Sequence, residues 1–438
     1  MLSDRRVVYT ALVLFAVVVI IFARQLRAPA PKSITPTLTG EPEVCLTCHD
    51  GIEDISPSHP VEAFGCVWCH GGEALALDAD LAHAGLRGGR NPSDFSVVEV
   101  SCGGSECHSG SAEAHRDHIQ RSTTSIQATY AGAIAQARRA FGAQPDAAAR
   151  FGVTAIADDY VMSPLAVPRL DAFDPVALGD PKPVVDFAGQ CLTCHLSAPS
   201  MQQPYAYRST GCAACHVLYA SDGLYRGGDP TIDTAEPGHA ASHRLTTAIP
   251  YATCNACHNR GNYSLRQMAF LPREDLPSGG APLPEDRLRD TYQPIGQFTL
   301  CEWELDCIDC HTSTEAMGDG DLYGSQLDIQ YIQCKTCHGT LTEPPRTGVV
   351  TDVADVEVRR AQLNGRYEVK VGDTILLTER GEKFGSVQLV DGKFVQTLKV
   401  SGERLDIPLV TGTQCKQKPD EQESRYCHEC HAYERDER

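Results

Sequence analysis

Apolar residues are distributed along the chain in patterns that predict two helices. Residues Val7 to Ala23 form an almost uninterrupted apolar run, in which only Tyr9 and Thr10 have polar character, and this predicts an apolar helix. Between residues 111 and 142 proline is absent, alanine is frequent and apolar side chains recur at helical spacing. We therefore expect one long amphipathic helix over 111–142.

A third pattern appears near the C-terminus, where short β-branched and apolar runs alternate with turn residues over 356–412. The dipeptides Asn364-Gly365 and Asp391-Gly392 separate these runs, and the second is typical of a type I′ hairpin. This predicts a small β-domain that supports the rest of the fold or serves in docking. The predicted strands are Tyr367–Val371, Thr374–Thr378, Ser386–Val390 and Phe394–Val400.

Proline clusters and changes in composition divide the remaining chain into segments with few long elements. The predicted order is an N-terminal helix (1–27), a proline-rich tether (28–44), a first module (45–118), the long helix (111–142), a linker (143–185), a second module (186–260), a proline-rich linker (261–300), a third segment (301–345), the β-domain (356–412) and a C-terminal segment (413–438).

A short motif, Cys-x-x-Cys-His, recurs through these segments. Eight copies are regular, and a ninth has four residues between its cysteines but keeps the histidine directly after the second one. Motifs 1 and 2 are separated by the same 21-residue step as motifs 4 and 5, which indicates a duplicated unit. In chain order, motifs 1 to 9 are Cys45, Cys48 and His49; Cys66, Cys69 and His70; Cys102, Cys107 and His108; Cys191, Cys194 and His195; Cys212, Cys215 and His216; Cys254, Cys257 and His258; Cys307, Cys310 and His311; Cys334, Cys337 and His338; and Cys427, Cys430 and His431.

This motif is the attachment site of a c-type haem, in which two cysteine sulfurs form thioether bonds and the histidine binds the iron. With 20 Cys and 16 His among 438 residues, chance would place roughly 0.03 regular copies in the chain, against the eight found. Zinc sites or disulfides are the alternative interpretation, but neither requires a histidine after every second cysteine. We expect nine haem c groups, with trihaem modules at 45–118 and 186–260 and a dihaem segment at 301–345.

In these motifs the chain resembles the multihaem c-type cytochromes, and specifically a nonahaem member with an N-terminal membrane anchor. The resemblance covers nearly all of residues 45–431. It implies a mostly α and irregular fold organised around stacked haems, with few long helices and the small β-domain inserted near the C-terminus. It also implies a location outside the cytoplasm, where such haems are attached.

The N-terminal segment is predicted to be a retained, single-pass signal anchor in the cytoplasmic membrane, with the haem domain in the periplasm or outside the cell. Cleavage is the alternative, but the small-residue site Ala28-Pro29-Ala30 would leave Pro31 directly after the cut. A formal charge of −19 argues against nucleic acid and favours solubility or a basic redox partner.

Histidines outside the motifs are candidates for the second axial ligand of each iron. Seven remain after the nine proximal histidines, so at least two haems need another ligand, a histidine from another chain, or an open position. His115 and His118 are three residues apart on the predicted helix, and His239 and His243 are four apart, so each pair is predicted to serve two stacked haems. The candidates are His59, His83, His115, His118, His239, His243 and His428, with Met162, Met201, Met268 and Met317 as further conceivable ligands.

Two cysteines, Cys301 and Cys415, belong to no motif. In an oxidising compartment the simplest use of such a pair is a disulfide, here one that would enclose the β-domain. A free thiol and a sulfur ligand to iron stay open as alternatives.

The predicted function is electron transfer through nine haems from a membrane-side donor to an extracytoplasmic acceptor, with redox proteins in or at the membrane as partners. One alternative is a multihaem oxidoreductase that acts on nitrogen or sulfur oxyanions at an open haem. Another is a subunit of a filament or of a larger respiratory complex. Electron transfer is favoured over an enzyme because the variant Cys-x-x-Cys-Lys motif of nitrite reductases is absent.

Overall fold

The computed structural model describes residues 2–27, 30–158, 161–258, 305–329 and 331–411, together with the backbone of four short strands outside these ranges. Within 2–27 the side chains of residues 7–20 are described. Several predicted features lie outside the described residues, namely motif 9, His428, Met268, the cysteines 301 and 415, and most of the linker 261–300.

Most helices are short, and many coincide with a haem motif. Besides a single 3₁₀ turn at Cys45–Thr47, the helices are α1 (Leu2–Arg27), α2 (Val61–Phe64), α3 (Val67–His70), α4 (Ala79–Ala82), α5 (Val98–Cys102), α6 (His118–Thr124), α7 (Ile126–Thr129), α8 (Ala131–Ala140), α9 (Lys182–Cys191), α10 (Ala213–His216), α11 (Tyr251–Asn255), α12 (Cys307–Cys310), α13 (Ser313–Met317), α14 (Gln326–Ile329), α15 (Cys334–His338) and α16 (Val356–Asn364).

The strands form one larger sheet and three small ones. Strand β3 pairs with β1 in parallel and with β2 antiparallel, while β4 pairs with β5 and β6 with β12. Strands β7 to β11 form a five-stranded antiparallel sheet in sequential order. The strands are β1 (Phe151–Gly152), β2 (Ile156–Ala157), β3 (Arg169–Ala172), β4 (Phe270–Pro272), β5 (Tyr292–Pro294), β6 (Gly296–Phe298), β7 (Thr347–Val349), β8 (Thr374–Leu377), β9 (Lys383–Val390), β10 (Lys393–Thr397), β11 (Arg404–Ile407) and β12 (Ala432–Glu434).

The apolar N-terminal run forms helix α1, as predicted. Its large apolar side chains between residues 7 and 20 are all exposed, with fractions of 46% to 68%. Among the residues whose side chains the structure describes, none of the helices is both long and apolar enough to cross a membrane.

The single long helix expected over 111–142 is not formed. Residues 111–117 precede the first helical turn, and the remainder is divided into α6, α7 and α8. The first break is at Ser125, whose extended ψ of 154° ends α6 and whose hydroxyl caps α7. The second is at Tyr130, which adopts the left-handed conformation between α7 and α8. The prediction of one continuous helix was therefore wrong, although three shorter helices occupy most of the range.

The segment expected to be a linker at 143–185 contributes to the core. It contains β1 to β3, and Leu170 of β3 is 1% exposed. Leu170 packs with Ala131 of α8, Ala149 and Leu322 in one cluster. A buried ion pair between Arg138 and Asp180 links α8 to the residues that precede α9.

The predicted β-domain is present, but the sheet begins earlier than 356, at β7. Strands β8, β9 and β10 correspond to three of the four predicted runs, whereas Tyr367–Val371 forms no strand. Asp391 and Gly392 connect β9 to β10 with φ values of 52° and 79°, as a type I′ hairpin requires. Asn364-Gly365 instead ends helix α16, where Gly365 is the left-handed cap.

Candidate functional site

Short helical turns hold the second cysteine and the histidine of several motifs. In motif 2, the Glu43 carboxylate accepts hydrogen bonds from the backbone N–H groups of Cys66 and Val67 at 2.6 and 3.0 Å. In motif 5, the backbone and side-chain oxygens of Ser93 accept from Cys212 and Ala213 at 3.2 and 3.0 Å. Each cap satisfies free N–H groups at the start of the turn that carries the cysteine and the histidine.

Hydrogen bonds at Nδ1 orient three of the proximal histidines. His49 donates to the Asp229 carboxylate at 2.7 Å, His216 to the Thr246 carbonyl at 2.8 Å, and His338 to the Pro408 carbonyl at 2.7 Å. A proton held on Nδ1 leaves the Nε2 lone pair available for a metal, which is the usual arrangement around metal-binding histidines. These three rings are therefore set up for coordination through Nε2.

Proximal histidines of the first two motifs face a second imidazole. The ring centres of His49 and His83 are 6.0 Å apart, and those of His70 and His243 are 6.1 Å apart. Two imidazoles on opposite sides of one metal, each with its nitrogen about 2 Å away, have ring centres roughly 6 Å apart. The separation within each pair is therefore that expected of two histidines that would hold one metal ion between them.

Motif 3 has two candidate distal histidines. His108 lies 6.0 Å from His59 with nearly parallel rings, and 5.3 Å from His118 with the rings tilted by 51°. Ser56 holds Nδ1 of His59 at 2.9 Å, so that its Nε2 is free to coordinate. His118 also lies within electrostatic range of His216. One iron would use only one of these two histidines, so we predict His59 as the partner at motif 3 and His118 as the partner at motif 5, whose His216 has no ring contact with a described histidine.

Burial lowers the pKa of five of these imidazoles and so favours the neutral form, which is the form that binds a metal. It lowers the pKa of His70 to about 4, with the charges of His243 and His49 acting in the same direction. It likewise lowers the pKa of His118 to about 4 and depresses those of His59, His108 and His216.

Residues 45–118 and 186–260, the two predicted modules, contribute side chains to each other's motifs. His243 of the second module faces His70 of the first, and Asp229 of the second module holds His49 of the first. Glu53 organises this contact, since its carboxylate accepts from the backbone N–H of His243 at 3.0 Å and its carbonyl accepts from His243 Nδ1 at 2.9 Å. Burial alone would raise the pKa of Glu53, but the N–H donors of His243 and Gly228 lower it.

Contacts between successive motifs define a continuous spatial order. The sulfurs of Cys45 and Cys66 are neighbours, as are those of Cys254 and Cys307. Helix α3 of motif 2 contacts α5 of motif 3, and α11 of motif 6 contacts both α10 of motif 5 and α12 of motif 7. With Ser93 joining the first module to motif 5, the order is motif 1, 2, 3, 5, 6 and 7. Motif 4 lies beside motif 6, where Cys194 neighbours Cys257.

The β-domain extends this order from motif 7 to motif 8. Lys399, after β10, donates through Nζ to the carbonyl of Ile308 at 2.6 Å and through its backbone N–H to Asp309 at 2.8 Å, both within motif 7. On the motif 8 side, Cys337 packs against the buried cluster of Leu376, Phe384, Val387 and Phe394. Burial lowers the pKa of Lys399 and also raises that of Asp309. Structural support, rather than docking, accounts for these contacts.

The helical argument for paired distal histidines was wrong. His115 precedes α6 with a φ of 51°, so it does not share a helix face with His118, and its carbonyl accepts from Arg359. His239 and His243 lie in a loop, and only His243 contacts a proximal imidazole among the described residues.

Four motif histidines show no ring contact with a second histidine in the described part of the chain: His195, His216, His258 and His311. His311 instead lies 3.3 Å from the Glu315 carboxylate; burial would lower its pKa, but this carboxylate outweighs burial and raises it. Of the candidate methionine ligands, Met162 is 72% and Met201 40% exposed. If His118 serves motif 5, the motifs among these four that have no nearby histidine ring in the described residues are motifs 4, 6 and 7.

Sequence reasoning missed the side chains that orient the histidines. Asp229 is 3% exposed. Burial alone would raise the pKa of its carboxyl group, but the hydrogen bonds from Thr231 and His49 outweigh burial, and the pKa is lowered. Glu53 lies in a short acidic stretch, Glu53-Asp54, and the sequence carries no signal that separates it from a solvated surface carboxylate.

Comparison with protein-family models, with curated proteins and with solved structures yields no significant match to this chain.

Proposed function

We propose that the protein is a membrane-anchored, extracytoplasmic multihaem c-type cytochrome that transfers electrons through nine covalently bound haems. The observation that carries this proposal is the continuous order of neighbouring motifs, from motif 1 through 2, 3, 5, 6 and 7 to motif 8. A porphyrin held at each motif would lie next to the following one, and single electrons would then pass between haems whose edges are close.

The paired imidazoles support electron transfer at motifs 1, 2 and 3. An iron with histidine on both axial positions has no site for a substrate, so its role is restricted to gaining and losing an electron. The chain's residues contribute by holding one ring of each pair through an Nδ1 hydrogen bond, namely His49, His243 and His59.

Catalysis at an open haem is the second candidate, and the absence of an imidazole partner at His195, His258 and His311 among the described residues favours it. Low-temperature electron paramagnetic resonance separates the two functions. A wholly low-spin spectrum, unchanged by nitrite or hydroxylamine and with no carbon monoxide binding after reduction, is expected for electron transfer. High-spin haems that bind these molecules would support an oxidoreductase instead.

A further inference from the structure

The predicted proline-rich tether is largely folded against motif 1. Lys32 donates its backbone N–H to the hydroxyl of Thr47, inside the motif, at 2.9 Å, and its ammonium group pairs with Asp50 at 2.5 Å. Farther along, Ile34 and Glu43 form an antiparallel bridge, and Val44 donates to the carbonyl of Ala74 at 2.9 Å. The expected free tether over 28–44 is therefore reduced to the few residues before Lys32.

This leaves a short connection between helix α1 and the haem domain. Five residue steps separate Arg27 from Lys32, and at full extension they span at most roughly 18 Å. The sequence Ala28-Pro29-Ala30-Pro31 has the composition of a semi-rigid spacer rather than a flexible one. Motif 1 is consequently held close to the end of α1.

The environment that suits α1 is a lipid bilayer. Residues 7–20 present exposed apolar side chains along the described part of the helix, without a protein partner that covers them. Such a helix is stable in hydrocarbon, and the basic residues Arg24, Arg27 and Lys32 that follow suit the level of lipid headgroups.

We infer that motif 1 is the membrane-facing end of the haem series, where electrons enter from a donor held in the bilayer. The inference rests on the proposed function, because it assumes that haems occupy the motifs and exchange electrons. It adds a direction, since electrons that enter at motif 1 travel through motifs 2, 3, 5, 6 and 7 toward motif 8, which packs against the β-domain.

The test uses the full-length, haem-loaded protein in vesicles that carry a photoreducing ruthenium complex on a lipid headgroup. Removal of the motif 1 haem by Cys45→Ala with Cys48→Ala should strongly lower the initial rate of haem reduction after a flash. The matched control, Cys334→Ala with Cys337→Ala at motif 8, also leaves eight haems and should keep the native initial rate. Equal losses in both variants, or a greater loss at motif 8, would overturn the inference.

A second variant leaves every haem in place. A flexible Gly/Ser insert of about 20 residues between Ala30 and Pro31 adds a reach of roughly 25 Å. The reduction rate should fall toward that of a protein lacking residues 2–27, and an unchanged rate would contradict the short connection.

Failure of the native protein to float with vesicles would also overturn the inference. Failure of the proposed function is distinguishable, because electrons supplied by a ruthenium complex free in solution would then not redistribute among the haems.

Discussion

His243 offers a direct test of axial ligation at the level of one side chain. His243→Ala removes the imidazole that lies 6.1 Å from His70. The motif 2 haem should then change from low spin to high spin and bind carbon monoxide when reduced, because its distal position is vacated. Electron paramagnetic resonance and carbon monoxide difference spectra measure both effects.

The matched control is His239→Ala, four residues earlier in the same loop, where the ring contacts no proximal imidazole among the described residues. This variant should keep the native spin state at motif 2. If both variants give the same spectra as the native protein, His243 is not the ligand of that iron.

The assignment of two neighbouring histidines gives a second prediction at this scale. His59→Ala should create one high-spin haem at motif 3, because Ser56 holds His59 with Nε2 directed to coordinate. His118→Ala should affect motif 5 instead, and the two changes should add in the double variant because each removes the ligand of a different iron. Quantified high-spin signals, combined with haem-deleted variants of motif 3 and motif 5, identify the haem affected. A double variant with no more high-spin haem than either single variant would contradict the assignment.

At the residue scale, the sequence predicts attachment sites from a local motif, whereas it did not predict which histidine rings lie close together. A Cys-x-x-Cys-His motif is complete within one helical turn, so its chemistry is visible locally. The contact of His70 with His243 depends on how a distant loop is held by Glu53, which is a consequence of tertiary packing. No local pattern around His243 contains that information.

Among the elements, the break in the predicted long helix has a local cause. The run Ser122-Thr123-Thr124-Ser125 supplies hydroxyl groups that bond to nearby backbone oxygens, with Thr124 donating to Gln120 at 2.9 Å and Ser125 to Ser122 at 2.8 Å. Such bonds compete with the regular helical pattern. The prediction of a continuous helix followed the spacing of apolar residues and gave no weight to this run of four hydroxyl side chains, which favours a break.

The β-hairpin was predicted correctly because its turn chemistry is local, and this gives a stability prediction. Gly392 has a φ of +79° and nothing within 4 Å of an added Cβ, so Gly392→Ala introduces backbone strain without a clash. The left-handed conformation should cost the hairpin about 1 kcal/mol, seen as faster amide hydrogen exchange in β9 and β10.

Gly189 is the matched control, because an added Cβ there also meets nothing within 4 Å, while its backbone in α9 is helical. Gly189→Ala should stabilise α9 by roughly 0.4–1 kcal/mol and leave β9 and β10 unchanged. Faster exchange in β9 and β10 in this control, or unchanged exchange there in Gly392→Ala, would contradict the role given to the turn.

For the whole molecule, the duplicated spacing of motifs predicted two separate trihaem modules, and their contacts make them one unit. Ser93 of the first module caps motif 5, and Asn91 donates to Thr210 at 2.9 and 3.0 Å. The duplication also does not preserve the order of neighbours, because Cys45 lies beside Cys66 of the next motif whereas Cys194 lies beside Cys257 of motif 6. Equal spacing repeats the motifs along the chain, but the side chains that pack between motifs decide which motifs are neighbours.

The order of motifs makes motif 6 the connection between the first five motifs and the β-domain. Cys254→Ala with Cys257→Ala should therefore slow electron transfer from motif 1 to motif 8, since tunnelling falls steeply once a haem is missing from the series. The measurement attaches a ruthenium photodonor at Leu38→Cys, whose backbone N–H donates to Ala63 between motifs 1 and 2, and a cobalt(III) acceptor at Val353→Cys, in the β-domain; both positions are exposed, at 53% and 74%. Removal of the motif 4 haem by Cys191→Ala with Cys194→Ala is the control, and it should preserve the rate because motif 4 lies beside the series. A larger loss at motif 4 than at motif 6 would mean that electrons follow a different order from the one the contacts between motifs define.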